Sequence, residues 1–523
     1  MLSQLARTHA LPPSNNLAFP VIRGAVDSPL MVQNLNGQAL NTATVCAGSQ
    51  MVQERTFVEL QHSELQPEKL SQWETFGQSL ASVAPTATPA MVIPLVLAAC
   101  GKTSWLAYLL ATVGVACITF QINLFARKTS SPGSLYSFVH GTLGKWPSLI
   151  TGWALLIAYA GTAAAVTGGV TSYAYSLFVP NTQPPLVVAA IITAFAIGIS
   201  AALAYRDVQI SARLMLWIEA SSVLLILVLI LWPGHPGALR LDWSQLLLRG
   251  ASLSGLRNGL VLAIFSFVGF ESAATLGAEA TSPQKTIPRA IRLTAFASGL
   301  FFIFATYAEN IGFGDRASTL QDAGAPLQLL AQLRGLPFLS PVLAVGASMS
   351  FFACALACIT AGARTLFTMS RDGYVLPIFG RAHASNHTPH SAVVFTSAVA
   401  LATSLAFVGF HIAPFDIYGW VGTVATYGFI SVYLAVTIAG VVCSFRERVL
   451  TPLSVAVSAG ALLVLGLAAW SSIDLSAPPP YRWLPHVYLA LLVLGILFSW
   501  FTNITRKRNA TAECHNDCSC AEN

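Results

Sequence analysis

Charge is what this chain has least of. Of its 523 residues only 9% are Asp, Glu, Lys or Arg, while 55% are hydrophobic. A soluble globular chain carries about 25% charged residues, so the polar groups needed to cover a water-facing particle of this size are missing. The shortage argues against a secreted enzyme, a nucleic-acid partner and a disordered scaffold. The net charge of +6 comes from scattered basic residues rather than a patch. Catalytic signatures are absent too. No Gly-x4-Gly-Lys-Ser/Thr phosphate loop occurs, and the closest string, Gly141-Thr-Leu-Gly-Lys145, has the wrong spacing. There is no His-Glu-x2-His and no Gly-x-Ser-x-Gly, and His411, near the end of an apolar run, has no evident partner. These absences weigh against a primary pump and against an intramembrane enzyme. No secretory leader is expected, because residues 1–75 hold no apolar stretch of signal length and carry Pro12, Pro13, Asn15 and Asn16. Cysteine offers no disulfide framework. Cys100, Cys117, Cys354, Cys358 and Cys443 lie in apolar runs, where the thiol acts as a small hydrophobe. Cys514, Cys518 and Cys520 cluster in the tail, but a metal site there would need a second group of ligands. Reduced thiols on a loose tail are therefore expected, with no metal and no cofactor.

What the chain has in quantity is long apolar runs, and its mean hydropathy is +0.66. A window of about 19 residues picks out twelve segments, near 79–100, 103–125, 147–178, 185–204, 211–232, 258–279, 289–313, 338–366, 391–410, 415–443, 450–470 and 484–502. The expectation is an all-α integral membrane protein with the lipid bilayer as its solvent. Residues 59–78 read as an amphipathic, interfacial helix leading into the first span, with Glu64, Glu68 and Lys69 opposite Leu60, Leu65, Leu70 and Trp73. If the N-terminus is cytoplasmic, 20 of the 27 basic residues fall in inside segments and seven outside. That asymmetry sets both termini in the cytoplasm of a multi-pass cell-membrane protein.

Two spans carry breaks. The first contains Pro85-Thr86-Ala87-Thr88-Pro89, and proline removes a backbone donor and clashes with the preceding turn. The sixth contains Phe267-Val268-Gly269-Phe270-Glu271-Ser272, where glycine permits a break and a glutamate sits at membrane depth. Matched interruptions in spans one and six imply a five-plus-five inverted repeat of the LeuT type with helices 1 and 6 broken, plus two extra helices. The corresponding division is 1–75 as a cytoplasmic N-terminal segment, 76–236 and 257–444 as the repeats, 445–502 as helices 11 and 12, and 503–523 as a cytoplasmic tail. A bound substrate or ion is one way to satisfy the backbone groups freed at the breaks.

Three ordered stretches carry a resemblance. The first is Phe265-Ser-Phe-Val-Gly-Phe-Glu-Ser-Ala-Ala-Thr-Leu-Gly-Ala-Glu-Ala-Thr-Ser-Pro-Gln-Lys-Thr-Ile-Pro-Arg-Ala-Ile291. The second is Ser131-Pro-Gly-Ser-Leu-Tyr-Ser-Phe-Val-His-Gly-Thr-Leu-Gly144, and the third Ala363-Arg-Thr-Leu-Phe-Thr-Met-Ser-Arg-Asp-Gly373. Over about residues 76–505 the chain resembles the amino acid–polyamine–organocation permease superfamily, as a bacterial-type amino acid permease. It departs where that family's first break often reads Gly-Ser-Gly-Ile, and where Arg371-Asp372-Gly373 is followed by an apparent one-residue insertion.

The resemblance implies a secondary transporter that moves an amino acid or related amine by alternating access. The substrate carboxylate would meet amides around Thr86 to Pro89, where a positive half-helix end suits an anion. Its ammonium would meet carbonyls around Phe265 to Val268, with Phe265 as the lid. Glu271 is costly at membrane depth and is by default a functional residue, as a substrate contact or proton relay. Its bland alternative is a neutral brace between helices. Glu279, near the end of the span, reads as a solvated helix-end charge. Proton-coupled relatives carry a lysine at the position that looks like Ser222. The serine here shifts attention to Glu219, one turn away, and to Ser350 in span eight as the facing residue. The coupling ion is H+ through Glu219 or Glu271, or alternatively Na+ with Ser222 and Ser350 as hydroxyl ligands. Exchange of amino acids or polyamines is a further alternative, as is a non-transporting nutrient sensor. The basic asymmetry makes a direct prediction about orientation. An impermeant thiol reagent applied to intact cells should leave Cys518 unlabelled and should label it once the membrane is permeabilised.

Overall fold

The computed structural model describes residues 32–33, 39–40, 65, 67–179, 182–232, 242–248, 252–313, 325–471 and 479–520, with the side chains of the last helix as far as residue 502. The chain divides into two units, Met1–Ser63 and Glu64–Asn523. In the first, β1 (Val32–Gln33) and β2 (Ala39–Leu40) pair antiparallel, with Val32 opposite Leu40. Everything that follows concerns the second unit.

Among the described residues ten helices are long and apolar enough to cross a membrane. One of these stretches, Gln72–Ala126, runs to 55 residues. At 1.5 Å per residue it would measure about 80 Å as a single rod, against a hydrocarbon core of about 30 Å. It is instead divided. α1 (Gln72–Val83) is followed by a π-helical turn at Thr88–Val92, then by α2 (Ile93–Cys100) and α3 (Ser104–Ala126). A short α4 (Leu135–Leu143) precedes the long α5 (Lys145–Ser176), α6 (Leu186–Arg206) and α7 (Val208–Leu231). After the four-residue α8 (Trp243–Leu246) comes α9 (Leu253–Phe265), which is apolar but only 13 residues long. A 3-10 stretch at Ser272–Leu276 continues it beyond a break. The remainder is α10 (Pro283–Phe313), α11 (Pro326–Leu333), α12 (Ser340–Arg371), α13 (His390–Gly409), α14 (Pro414–Arg446), α15 (Pro452–Ser471) and α16 (Leu484–Cys520). Helices or helix pieces overlie every apolar segment read from the sequence. The tail cysteines Cys514, Cys518 and Cys520 lie beyond the described side chains.

α12 and α5 are the most enclosed helices, with 72% and 67% of their most apolar windows buried, whereas α15 and the last helix present most of theirs outward. The inner helices are rich in small residues, such as Ala163, Ala164, Ala165, Gly168 and Gly169 on α5, all buried. Small side chains let helix backbones approach where lipid supplies no hydrophobic drive for association.

The lead-in to the first span differs from expectation. Residues 65 and 67–71 are not helical; residues 59–64 and 66 lie outside the described set. The helix begins at Gln72 because Ser71 caps it. The Ser71 hydroxyl accepts from the Glu74 amide, and the Glu74 carboxylate accepts from the Ser71 amide at 2.8 Å, a reciprocal capping box. Just before the cap, the chain pairs like a strand with the loop that follows the second break. The Leu70 amide donates to the Glu279 carbonyl at 3.0 Å, and the Thr281 amide donates to the Leu70 carbonyl at 2.8 Å. Lys69 adds an ion pair to Asp207 at 2.8 Å. Partial burial opposes the charged form of Asp207, but Lys69 and the Gln209 amide more than offset it and hold the carboxyl below its usual range.

Glu279 is the second correction. It is not a solvated helix-end charge: only 1% exposed, it receives two 2.7 Å bonds from the Arg364 guanidinium, itself 1% exposed. The planar fork of arginine matches a carboxylate two bonds at a time, so the pair is satisfied in place. It joins the first and third of the sequence motifs. The second motif joins the third through Tyr136, whose hydroxyl donates to Asp372 at 2.6 Å.

Because removing one partner of a buried pair strands the other charge, Glu279→Leu or Arg364→Met alone should each destabilise the protein by roughly 3–5 kcal/mol. The double variant should lose less than the sum of the two. Thermal unfolding of the purified protein in detergent checks this, and simple additivity would contradict the pairing.

Candidate functional site

α1 ends at Ala84, which adopts the left-handed conformation with φ 47°. Pro85 follows, a residue with no amide to satisfy and no means of continuing the helix. The chain turns through Pro85 and Thr86, Ala87 is already helical, and Thr88 opens the π-helical turn, so the unwinding falls on Ala84–Thr86. Among the described residues no acceptor faces the amides of Thr86 or Thr88. The Thr86 hydroxyl is buried and also has no hydrogen-bond partner. Pro85, Thr86, Ala87, Thr88 and Pro89 are thus all buried, with two open amides and one open hydroxyl among them.

The second break begins after Phe265 and turns on Gly269, with φ +86°. That region suits glycine because it has no Cβ, and here the space is closed as well: a Cβ on Gly269 would lie 2.7 Å from Cβ of Ser82. The two breaks therefore touch. The Ser272 hydroxyl donates to Ser82 Oγ at 2.7 Å, and the Ala273 amide donates to Ser79 Oγ at 2.9 Å. Not all the carbonyls expected to be free are free. Those of Phe265 and Phe267 accept turn bonds from the amides of Val268 and Phe270; none of the described backbone bonds ends on Ser266 or Val268.

A row of aromatic rings runs beside the breaks. Phe265 packs on Tyr418 at 5.6 Å between centroids, Tyr418 on Phe351 at 5.7 Å, and Phe351 on Tyr173 at 6.0 Å. Glycines make the seats: a Cβ on Gly422 would strike the Phe265 ring at 2.5 Å, and one on Gly169 the Phe351 ring at 2.6 Å. The Tyr173 hydroxyl donates to the Ala90 carbonyl at 2.9 Å, so the row connects the second break to the first.

Three fully buried carboxyls lie in the surrounding helices, and their partners differ. Glu271 accepts from the hydroxyls of Tyr159 on α5 at 3.0 Å and Tyr433 on α14 at 2.6 Å. Glu219 on α7 is met by Ser350 on α12, whose hydroxyl lies 2.8 and 2.9 Å from its two oxygens. The expected facing of α7 and α12 is present, but Ser350 engages Glu219 while Ser222 donates instead to the Gly346 carbonyl at 3.0 Å. The third, Glu309 near the end of α10, was not singled out from sequence. Neither of its oxygens has a hydrogen-bond partner. Its electrostatic neighbours are Tyr108, Tyr173 and Arg334. Tyr108 and Ser266 of the second break are hydrogen-bonded hydroxyls 3.1 Å apart, while Arg334 spends its donors on the carbonyls of Leu229, Ile230 and Ala308. The available signal was a glutamate in an otherwise apolar run, the same signal that marked Glu271. Among the described residues no cluster of His, Cys, Asp and Glu has the makings of a metal site.

With this geometry in hand, comparison with known proteins is informative. The model of the family described as amino acid permease matches residues 77–510. The chain is similar to the low-affinity putrescine importer PlaP of Escherichia coli, at 24% identity over 307 residues, 56% of this chain and 65% of the relative. It is similar to the methylthioribose transporter of Bacillus subtilis, at 26% identity over 57% of this chain and 66% of the relative. The branched-chain amino acid permease BcaP of Bacillus subtilis is 26% identical over 60% of this chain and 66% of the relative. The chain thus spans just under two thirds of the length of each of these three relatives.

The contrast among the carboxyls predicts opposite responses to neutralisation. Glu271→Gln removes an acceptor from one of two buried tyrosine hydroxyls and should cost about 1–3 kcal/mol. Glu309→Gln removes a buried carboxyl that no donor satisfies, and should leave stability unchanged or raise it. Melting curves of the two variants in the same detergent decide between these signs.

Proposed function

The chain belongs to the amino acid permease family, and on that premise we propose that it is a secondary transporter carrying an amino acid or related amine across the cell membrane by alternating access. The observation that carries this reading is the contact between two interrupted helices. Backbone breaks are tolerated at membrane depth only where they are buried in protein or line a cavity, and transporter sites are built at such paired breaks. In this reading the molecule has twelve spans, arranged as two five-helix repeats with two added helices and both termini in the cytoplasm. The open amides of Thr86 and Thr88 take the substrate carboxylate. The carbonyl side of the second break takes its ammonium, with Phe265 closing over it.

Coupling in this reading is to protons. Glu219 and Glu271 have only hydroxyls as hydrogen-bond partners among the described side chains. A carboxyl in hydrocarbon costs about 2.5–3.5 kcal/mol on insertion scales when charged, and taking up a proton removes that cost. A proton loaded on one side and released on the other then drives accumulation.

The test is uptake of radiolabelled amino acids and polyamines in proteoliposomes, with pH and sodium gradients imposed separately. Accumulation should follow the pH gradient. Glu271→Gln and Glu219→Gln should reduce pH-driven accumulation more than substrate exchange, which moves no net proton. Thr88→Trp should abolish uptake without lowering insertion. Accumulation that follows sodium alone would move the ion to Ser222 and Ser350, and no uptake of any substrate tried would overturn the transport reading.

A further inference from the structure

A groove of about 550 Å³ lies between α3 and α10, on their outer side. Its shape follows from where the two helices touch. A Cβ on Gly299 would lie 2.4 Å from the Thr112 methyl, so the helices are in contact there. Thr112 is at one end of the groove lining and Arg127, which caps the C-terminus of α3, at the other. The walls between include Phe120 and Phe296, which are 36% and 71% exposed on the face of a membrane-spanning bundle. Apolar side chains exposed there face lipid.

The arginine end has a different character. Arg127 and Arg292 both line it, and none of the lining residues is acidic. The Arg127 side chain has no ion-pair or hydrogen-bond partner among the described residues, and the Arg292 guanidinium uses only Nε, donating to the Pro288 carbonyl at 3.2 Å. The neighbouring cation Lys128 is already paired, with Glu447. Two further polar groups reach the groove without partners of their own: the Thr119 hydroxyl and the Asn123 side-chain oxygen, on residues each 5% exposed. The groove therefore pairs two available guanidiniums at the end of an apolar helix with an apolar channel running along that helix.

We propose that this groove binds a phospholipid with an anionic head group. The phosphate meets Arg127 and Arg292, whose planar donors suit phosphate oxygens. The Thr119 hydroxyl donates to the glycerol-ester region, and an acyl chain lies along Phe120 and Phe296. Charge complementarity selects the occupant: basic pockets between spanning helices are where acidic lipid head groups bind, while a neutral zwitterionic lipid gains the channel but less from the two arginines. The bound lipid would fill the wedge between α3 and α10 and hold their crossing.

The experiment uses the full-length protein, purified and delipidated in detergent. Thermal midpoints are titrated with phosphatidylglycerol, with phosphatidylcholine of the same acyl chains, and with glycerol phosphate as the head group alone. A ligand that binds the folded state raises the midpoint in a concentration-dependent way. Phosphatidylglycerol should raise it at concentrations at least ten-fold below those at which phosphatidylcholine does, and glycerol phosphate should have no effect. Arg127→Gln with Arg292→Gln should abolish that preference. Should the double variant fold poorly, Ala116→Trp, at an exposed position in the groove wall, fills the channel and should weaken phosphatidylglycerol at least ten-fold. Equal responses to the two lipids, or a preference that survives both the arginine and the tryptophan variants, would overturn the proposal. A full response to glycerol phosphate would overturn it as well, by making this a site for a soluble anion.

Discussion

The architecture rests on how two broken helices satisfy each other. Inside a bilayer no water is at hand for a free amide or carbonyl, so an interruption must find its partners within the protein. Here the serines of α1 supply them: Ser79 accepts from the Ala273 amide and Ser82 from the Ser272 hydroxyl, while Gly269 lets the second break lie directly against Ser82. Neither break is closed completely. The amides of Thr86 and Thr88 stay open on one side, and the carbonyls of Ser266 and Val268 on the other. A short piece of unpaired backbone is thereby left between the two breaks, and it is there that the proposed function puts the substrate.

The buried carboxyls form a series around that place. Glu271 has two tyrosine donors, Glu219 one serine, and Glu309 none. The donors that meet Glu271 and Glu219 are uncharged hydroxyls, in contrast to Glu279, which is met by the Arg364 guanidinium. The same residue type is thus ion-paired in one position and met by hydroxyls, or by no donor, in others. The difference lies wholly in what faces it.

How much of this was legible beforehand depended on whether a feature has a local signature. Proline pairs and a glycine before a glutamate announce broken helices by their own chemistry, so both breaks could be read from the residues alone. Runs of apolar residues announce spans equally well. Pairing across the fold has no such signature. Glu279 looks the same in sequence whether water or Arg364 faces it, and a separation of 85 residues hides the partner. Ser350 was expected opposite α7, yet which of Glu219 and Ser222 it meets depends on helix rotation. The start of α1 was misplaced because amphipathic spacing continues through Pro67 and Leu70, whereas the helix begins at the Ser71 cap. Glu309 carries the same signal as Glu271, a glutamate in an apolar run, but lies outside both breaks and so has no second local mark.

The tie between Leu70 and the loop at Glu279–Thr281 has a mechanical consequence. It couples α1 to the segment that follows the second break, and the hydrogen bonds of Ser79 and Ser82 couple the same pair again farther along. On the other side of the breaks, Cys100 at the end of α2 reaches the Gly255 carbonyl at 3.2 Å, so α2 is fastened to α9. The four pieces are therefore tied in two pairs, and the breaks between them meet where Ser82 abuts Gly269. A flexion of α1 at Ala84 would have to break these bonds or carry the second break with it. Stiffening either residue at that contact would bear on both pairs, just as one stiff pin is felt by both blades of a pair of scissors.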